Sequence, residues 1–199
     1  MPVTLLDVAE AAGVSRATAS LVVRNSPLVA ARTKTHVREV MNRLGYVYNR
    51  AAASLRTQDS SAVAIVVPDI QNPYFAELTV GVQAALDREG KTVFLANTQD
   101  DVETQSRNLA RLVESRVDGV ILCAAQGTKR SHLEQIEAAG IAVVLVSRRV
   151  TAAPFPYVGP RNKAGGAAAA AHLVERGHRD TAFVGGEEGS SARRERMAG

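Results

Sequence analysis

The chain has 199 residues, of which 46% are hydrophobic, and its 24 Lys and Arg against 20 Asp and Glu leave a formal net charge of +4. That length and apolar content suit a globular protein with a real core, either one domain or a small domain joined to a larger one. The charge is unevenly spread: residues 1–60 hold 8 basic and 4 acidic side chains, and residues 61–199 hold 16 of each. The whole excess therefore lies at the N-terminal end and points to a polyanionic partner there, with a neutral body behind it.

Residues 4–45 read as helix throughout, with apolar positions at helical spacing: Leu5, Val8, Ala9 and Ala12, then Ala19, Val22 and Val23, then Val37, Val40, Met41 and Leu44. Thr33 is the expected N-cap of the third helix and Gly45 its C-terminal stop. The segment "NRAAASLRTQDSS", residues 49–61, passes from a short Ala-rich helical pattern into a polar linker or hinge. At Ala62 the pattern changes. The apolar runs "AVAIVV", "TVFLAN", "GVILCA", "AVVLV" and "TAFVGG" read as buried strands, with helical stretches near 76–89, 103–116, 131–139 and 163–176 between them. Strands apolar on both faces that alternate with helices predict a parallel α/β sheet covered on both sides. Ligands of such sheets bind beyond the carboxyl ends of the strands, here "PDIQNPYF", "NTQD", "CAAQG" and "SRR". The expected organisation is a helical headpiece over 1–48, a hinge and linker over 49–60, and an α/β core over 61–199.

The stretch "VTLLDVAEAAGVSRATASLVV" carries the first motif. Two short helices that cross steeply need small residues at the crossing and a permissive turn, which Ala9 and Gly13 supply. Val14 plugs the core beneath the turn, and Ser15 is placed to cap the second helix. With Ala19, Val22 and Val23 facing inward, Arg16, Ala17, Ser20, Leu21 and Arg24 remain outside. Arg16 can make paired bonds to guanine, and Ala17 and Leu21 can touch a thymine methyl. Thr18, Ser20, Thr33, Tyr46 and Asn49 are hydroxyl or amide donors suited to phosphates.

These residues resemble the headpiece of the lactose-repressor (LacI/GalR) family of bacterial transcription regulators, nearly end to end from Pro2 to Arg56 and most specifically in "TLxDVAxxAGVSxxTxS". The resemblance implies that Arg16, Ala17 and Leu21 read bases and that Thr4, Thr18, Ser20, Thr33, Tyr46 and Asn49 contact the backbone. Leu5, Ser15 and Arg24 complete the headpiece set. It also implies that residues around Asn49, Ala52 and Leu55 form a hinge helix when two subunits meet on DNA, with Leu55 wedged into the minor groove. An apolar wedge of that kind unstacks a base step and bends the duplex, and so short a segment is expected to fold only on binding. Two departures concern hinge geometry: Tyr48 stands where a proline is common, and Ala52 and Ala53 replace the usual Ala-Arg.

The remainder resembles the effector-binding core of the same family, which has the fold of periplasmic sugar-binding proteins. The carrying motifs are "VAIVVPDIQNPYFAEL", "VDGVIL" and "VGPRNKAGGAAAAAHLVERGHRDTAFVGG". The expected architecture is an α headpiece (helix-turn-helix, three helices plus hinge helix) followed by a periplasmic-binding-protein-like core, its first Rossmann-like lobe nearly complete and its second only begun. It resembles a regulator cut short at about three fifths of the family's architecture. Tyr74 and Phe75 stand at a strand's carboxyl end, where a planar ligand could stack. The family match makes them effector candidates together with Arg196, and it places Ser147 and Arg161 where relatives often carry carboxylates. Losing both carboxylates disfavours a plain sugar, so the effector class stays open among a sugar, a nucleobase and an anionic metabolite. Gly165, Gly166 and His172 read as packing and turn residues.

The leading expectation is a transcriptional repressor that binds double-stranded, pseudo-palindromic operator DNA as a homodimer and answers to a small-molecule effector. The competing expectation is a solute-binding module without a DNA role, which would not need the basic headpiece. Catalytic motifs are absent: there is no Gly-x-Ser-x-Gly elbow, no Gly-Lys-Ser/Thr phosphate loop and no His-Glu-x-x-His, and the acidic "GGEEGSS" repels phosphate. No enzyme, cofactor or metal site is expected. Cys123, alone and without zinc-spaced neighbours, suits a buried strand in a cytoplasmic protein. Asp7 and Glu10 interrupt any signal-like run, and no apolar run reaches the roughly 18 residues of a membrane helix.

Overall fold

The computed structural model describes residues 3–48 and 60–199, and the chain divides into two units, residues 1–57 and 58–199. The expectations for Asn49, Ala52 and Leu55 lie outside the described residues.

The first unit holds α1 (Leu5–Ala11), α2 (Arg16–Val23) and α3 (Ala31–Leu44). Thr4 opens α1 with a reciprocal pair of bonds: its Oγ1 accepts from the Asp7 N–H at 3.3 Å, and its own N–H donates to Asp7 Oδ2 at 2.8 Å. At Gly13 the backbone reaches φ +63°, a left-handed conformation that glycine adopts without a Cβ penalty. The Val14 N–H then returns to the Ala9 carbonyl at 3.0 Å, and Ser15 Oγ accepts from the Thr18 N–H at 3.0 Å to start α2. Gly45, at φ +67°, closes α3, with its N–H bonded to Asn42 O at 3.2 Å and that of Tyr46 to Met41 O at 2.9 Å.

Val8, Ala12, Val22, Val29, Val37 and Val40 form the buried centre of this unit, with Val14, Leu21, Met41, Leu44 and Tyr46 packed around it. Ala9 and Ala19 are buried too, whereas Val23 is only half-buried. Thr33 is not the cap of α3. The helix begins at Ala31 and its N-cap position is Ala30, which offers no side-chain bond, so Thr33 lies inside the first turn. Val29 is pinned in the core, and the helix-favouring Ala31 and Arg32 start the helix directly after it.

In the second unit five parallel strands take the order β2-β1-β3-β4-β5: β1 (Ala62–Val67), β2 (Thr92–Asn97), β3 (Gly119–Leu122), β4 (Ala142–Val146) and β5 (Tyr157–Val158). The connecting helices are α4 (Pro73–Arg88), α5 (Val102–Glu114) and α6 (Glu134–Ala138), the last entered through a 3-10 turn over Arg130–Leu133. Alternate residues of each strand face opposite layers. Ile65, Val67, Cys123 and Val146 meet α4 through Phe75, Leu78 and Val82. Ala64, Val66, Leu122 and Leu145 meet Leu109 of α5, Leu133 of the turn and Ile136 of α6. The order reverses between β1 and β3, which opens a crevice at their carboxyl ends.

Two strand expectations are corrected. The run "TAFVGG" forms no strand. Residues 181–186 lie exposed, Val184 at 90%, because no described strand runs beside them to supply the ladder a strand requires. The fifth strand is instead the two-residue β5, which pairs with β4. β2 sits at the sheet edge with Phe94 and Leu95 about half-exposed, rather than buried on both faces. Beyond β5, α7 (Asn162–Glu175) packs on α8 (Ser191–Met197), and a Cβ at Gly166 would collide with the Arg196 carbonyl. Gly165 has no such neighbour.

Candidate nucleic-acid interface and ligand cleft

α2 divides cleanly into two faces. Ala19 and Val22 are fully buried, while Arg16, Ala17 and Arg24 are exposed and Thr18, Ser20 and Leu21 are intermediate. Arg16 makes no hydrogen bond or ion pair among the described residues, so its guanidinium fork is available to an outside partner. Leu21 differs from Ala17: it packs partly against the headpiece core. Several expected phosphate donors are also engaged internally. Thr18 Oγ1 shares a 2.9 Å bond with Ser15 Oγ, and Thr4 Oγ1 bonds Asp7 Oδ2 at 2.9 Å.

The far end of α2 is held against α3. Asn25, in the left-handed region at φ +52°, accepts from Arg38 Nη2 on Oδ1 at 2.9 Å and from Lys34 Nζ on its carbonyl at 3.4 Å. Arg24 Nε donates to the Ser20 carbonyl at 3.3 Å. Thr33 and Tyr46 are half-buried, and burial first, with the neighbouring Tyr48 second, pushes the Tyr46 hydroxyl above its ordinary pKa. Leu6 and Leu28 are exposed at 50% and 84%. The sequence reading passed over both, and the signal for Leu28 is an apolar residue in the polar turn "NSPLV".

At the carboxyl ends of the strands the polar groups interlock. Asn72 caps α4 by accepting from the Tyr74 N–H at 3.0 Å, and Asp101 caps α5 by accepting from the Thr104 N–H at 2.6 Å. Gln105, wholly buried, bonds the Ala125 N–H at 2.7 Å and Thr128 Oγ1 at 3.0 Å, fixing the loop after β3. Asp100 accepts from Arg148 Nη1 and from the Gln126 N–H at 3.0 Å, which ties the ends of β2, β3 and β4 together. Ser147 is left-handed at φ +63°, and its carbonyl accepts from the Tyr157 hydroxyl at 3.2 Å. Arg149 stacks 3.7 Å over the Tyr157 ring and reaches Glu195 at 3.5 Å. Burial pushes the Cys123 thiol up to about 12, against the opposing pull of Arg148.

The effector candidates do not converge. Phe75 is 7% exposed and packs from α4 into the sheet core, which leaves little of its ring for a ligand, while its neighbour Tyr74 is 47% exposed. Arg161 and Arg196 both line a groove of about 810 Å3 along α7, and Arg196 Nε donates to Asn162 Oδ1 at 2.9 Å. Ser147 and Tyr74 lie outside that groove. Among the described residues no group of three or more His, Cys, Asp or Glu is arranged to hold a metal, and no helix is long and apolar enough to cross a membrane.

Comparison with known proteins places both units. Residues 4–49 match the model of bacterial regulatory proteins of the lacI family, and residues 60–199 match that of periplasmic binding proteins and the sugar binding domain of the LacI family. The maltose regulon regulatory protein MalI of Escherichia coli (strain K12) is 34% identical over 99% of this chain, which spans 58% of that protein. A crystal structure of the lac repressor dimer bound to operator and the anti-inducer ONPF superposes with a TM-score of 0.83 at 27% identity, over all of this chain and 60% of that one. A complex of the transcriptional regulator CelR with cellobiose superposes with a TM-score of 0.61 at 31% identity, over 98% of this chain and 59% of that one. The chain thus spans a little under three fifths of the length of MalI. With both units matched in their expected order, the chain belongs to the LacI family of bacterial regulatory proteins.

Proposed function

We propose that the chain belongs to a sequence-specific transcriptional repressor that binds double-stranded operator DNA as a homodimer and answers to a small-molecule effector in its α/β core. In this reading residues 1–48 bind DNA, 49–60 form the hinge and 61–199 carry the effector body. The observation that carries it is α2, whose inner residues are locked in the headpiece core while Arg16 and Ala17 stand outside without internal partners. Arg16 suits a guanine edge and Ala17 a thymine methyl. Leu21 adds apolar contact, and Leu5, Ser15, Ser20, Arg24, Thr33 and Tyr46 border that face. Two such helices related by a two-fold axis would read a pseudo-palindrome in successive major grooves, with Asn49, Ala52 and Leu55 between them.

Tyr74, Ser147, Arg161 and Arg196 are the proposed effector contacts, and the lac repressor and CelR complexes, with an anti-inducer and with cellobiose, support a small-molecule role for such a core. The protein works where the chromosome is, in the cytoplasm, and performs no catalysis. The test is fluorescence anisotropy with a library of duplexes across a salt series. We expect selection of a two-fold-related site and an affinity that falls linearly with salt on logarithmic axes. Absence of duplex binding at low salt, or binding indifferent to sequence, would overturn the proposal in favour of a solute-binding module.

A further inference from the structure

Beyond β3 and β4 lies a polar cavity of about 190 Å3, lined by residues 124–128, 148–151, 189–191 and 194. Its lining residues include no carboxylate, since neighbouring Asp100 is taken up by Arg148 and by the Gln126 N–H. Donors predominate. Arg148 uses Nη1 for Asp100 and for the Ala124 carbonyl at 3.2 Å, and its Nε and Nη2 meet no acceptor among the described residues. Arg194 commits Nη1 to the Gly189 carbonyl at 2.6 Å and keeps its other nitrogens free among those residues. Ser191 Oγ accepts from the Arg149 N–H at 3.0 Å, so its own proton remains to donate. Gln126 Oε1 is buried without a donor among the described residues, an acceptor suited to a hydroxyl.

We infer that this cavity binds a small oxyanion, a phosphate or carboxylate borne by a hydroxylated metabolite, held between Arg148 and Arg194. The inference rests on the reading of the core as effector-responsive; the cavity is lined by none of Tyr74, Ser147, Arg161 and Arg196, and it adds to those proposed contacts a separate place for the effector's charged end, next to Ser147 in the chain and outside the groove of Arg161 and Arg196. The volume equals about six waters at ~30 Å3 each, below the ~300–1,000 Å3 of drug-sized pockets, so only a compact charged group enters. Arg148 follows β4 and Arg194 stands on α8. An oxyanion between them therefore ties α8 to the sheet, a link through which its binding can shift the core.

The test is titration of the full chain with inorganic phosphate, and separately with acetate, at constant ionic strength, read from 31P and 13C line widths. We expect saturable binding of at least one of them that weakens about tenfold or more in Arg148→Gln and in Arg194→Gln, as for loss of a charge-assisted hydrogen bond. Arg107→Gln removes the same charge from an exposed helix face of the same unit and leaves binding within about twofold, which separates the cavity from general attraction to surface positive charge. Arg194 is exposed, so its variant keeps the fold, and circular dichroism checks Arg148→Gln. No saturable binding, or equal binding in all variants, overturns the inference whatever the DNA affinity does. Cavity-dependent binding upholds it, and DNA affinity unchanged by the anion would then count against the effector-responsive reading alone.

Discussion

Val37→Ala tests whether the headpiece holds its shape through its small valine core. Val37 is fully buried on α3 and remote in sequence from the outer residues of α2. The substitution removes two carbons, worth about 1.6 kcal/mol at ~0.8 per buried CH2, and the cavity left behind brings the loss to about 2–3 kcal/mol. The headpiece over residues 3–48, about 46 residues, is stable by about 2–7 kcal/mol at ~0.05–0.15 per residue, so the loss is a large share of the whole. With an unfolding entropy of ~2.1 cal/mol/K per residue, about 0.1 kcal/mol/K in total, the midpoint should fall by about 20–30 °C. The assay is a temperature series of amide NMR spectra, which follows residues 3–48 separately from the sheet. DNA affinity should fall only in proportion to the folded fraction, leaving base preference intact. A midpoint shift below about 5 °C would refute a headpiece held by this core.

Arg16→Ala should leave the headpiece midpoint unchanged and relax base preference at one position of each half-site, by about 1–3 kcal/mol in competition anisotropy. Ser15→Ala should do the reverse, costing about 1 kcal/mol of stability by removing the cap of α2 while base preference stays. Cys123, buried with its thiol pushed up to about 12, should resist a maleimide at pH 8 in the native chain and react fully in denaturant. The Thr4 N–H first, and its hydroxyl second, hold the Asp7 carboxyl below its ordinary 3.8. Its contribution to stability is therefore complete above that value and is lost as pH falls through the lowered one. Asp7→Asn should accordingly flatten the acid limb of headpiece melting, measured from pH 6 downward.

Local signals were the legible ones. Ser15 ahead of an apolar period, Gly13 at a turn and Gly45 after one announce their roles because each acts on backbone within four residues of itself. The alternation of apolar runs with helical patterns announced the parallel sheet for the same reason. Ala30 could not be read as a cap position because it has no side-chain oxygen to betray it. "TAFVGG" has the composition of a strand, but a strand depends on its neighbour, and among the described residues none lies beside it. β5 is two residues long, too short for any periodicity. Phe75 and Tyr74 are adjacent aromatics whose fates part only when α4 turns one of them onto the sheet. The junction of Asp100 with Arg148 spans 48 positions and exists only once the strands are in order.

On the proposed reading of α2, the partial burial of Leu21 bears on how such a protein changes the site it binds. Positions 16 and 17 stand free of the core, so new side chains can be tried there at no structural penalty. Position 21 packs against the headpiece core besides its proposed contact with DNA, so each exchange there perturbs the packing that keeps α2 in place. Drift in recognition should therefore proceed unevenly, quickly at positions 16 and 17 and slowly at position 21. A designer retargeting this headpiece would randomise 16 and 17 first, and would open 21 only alongside compensating changes at Met41 or Leu44, which border the same core.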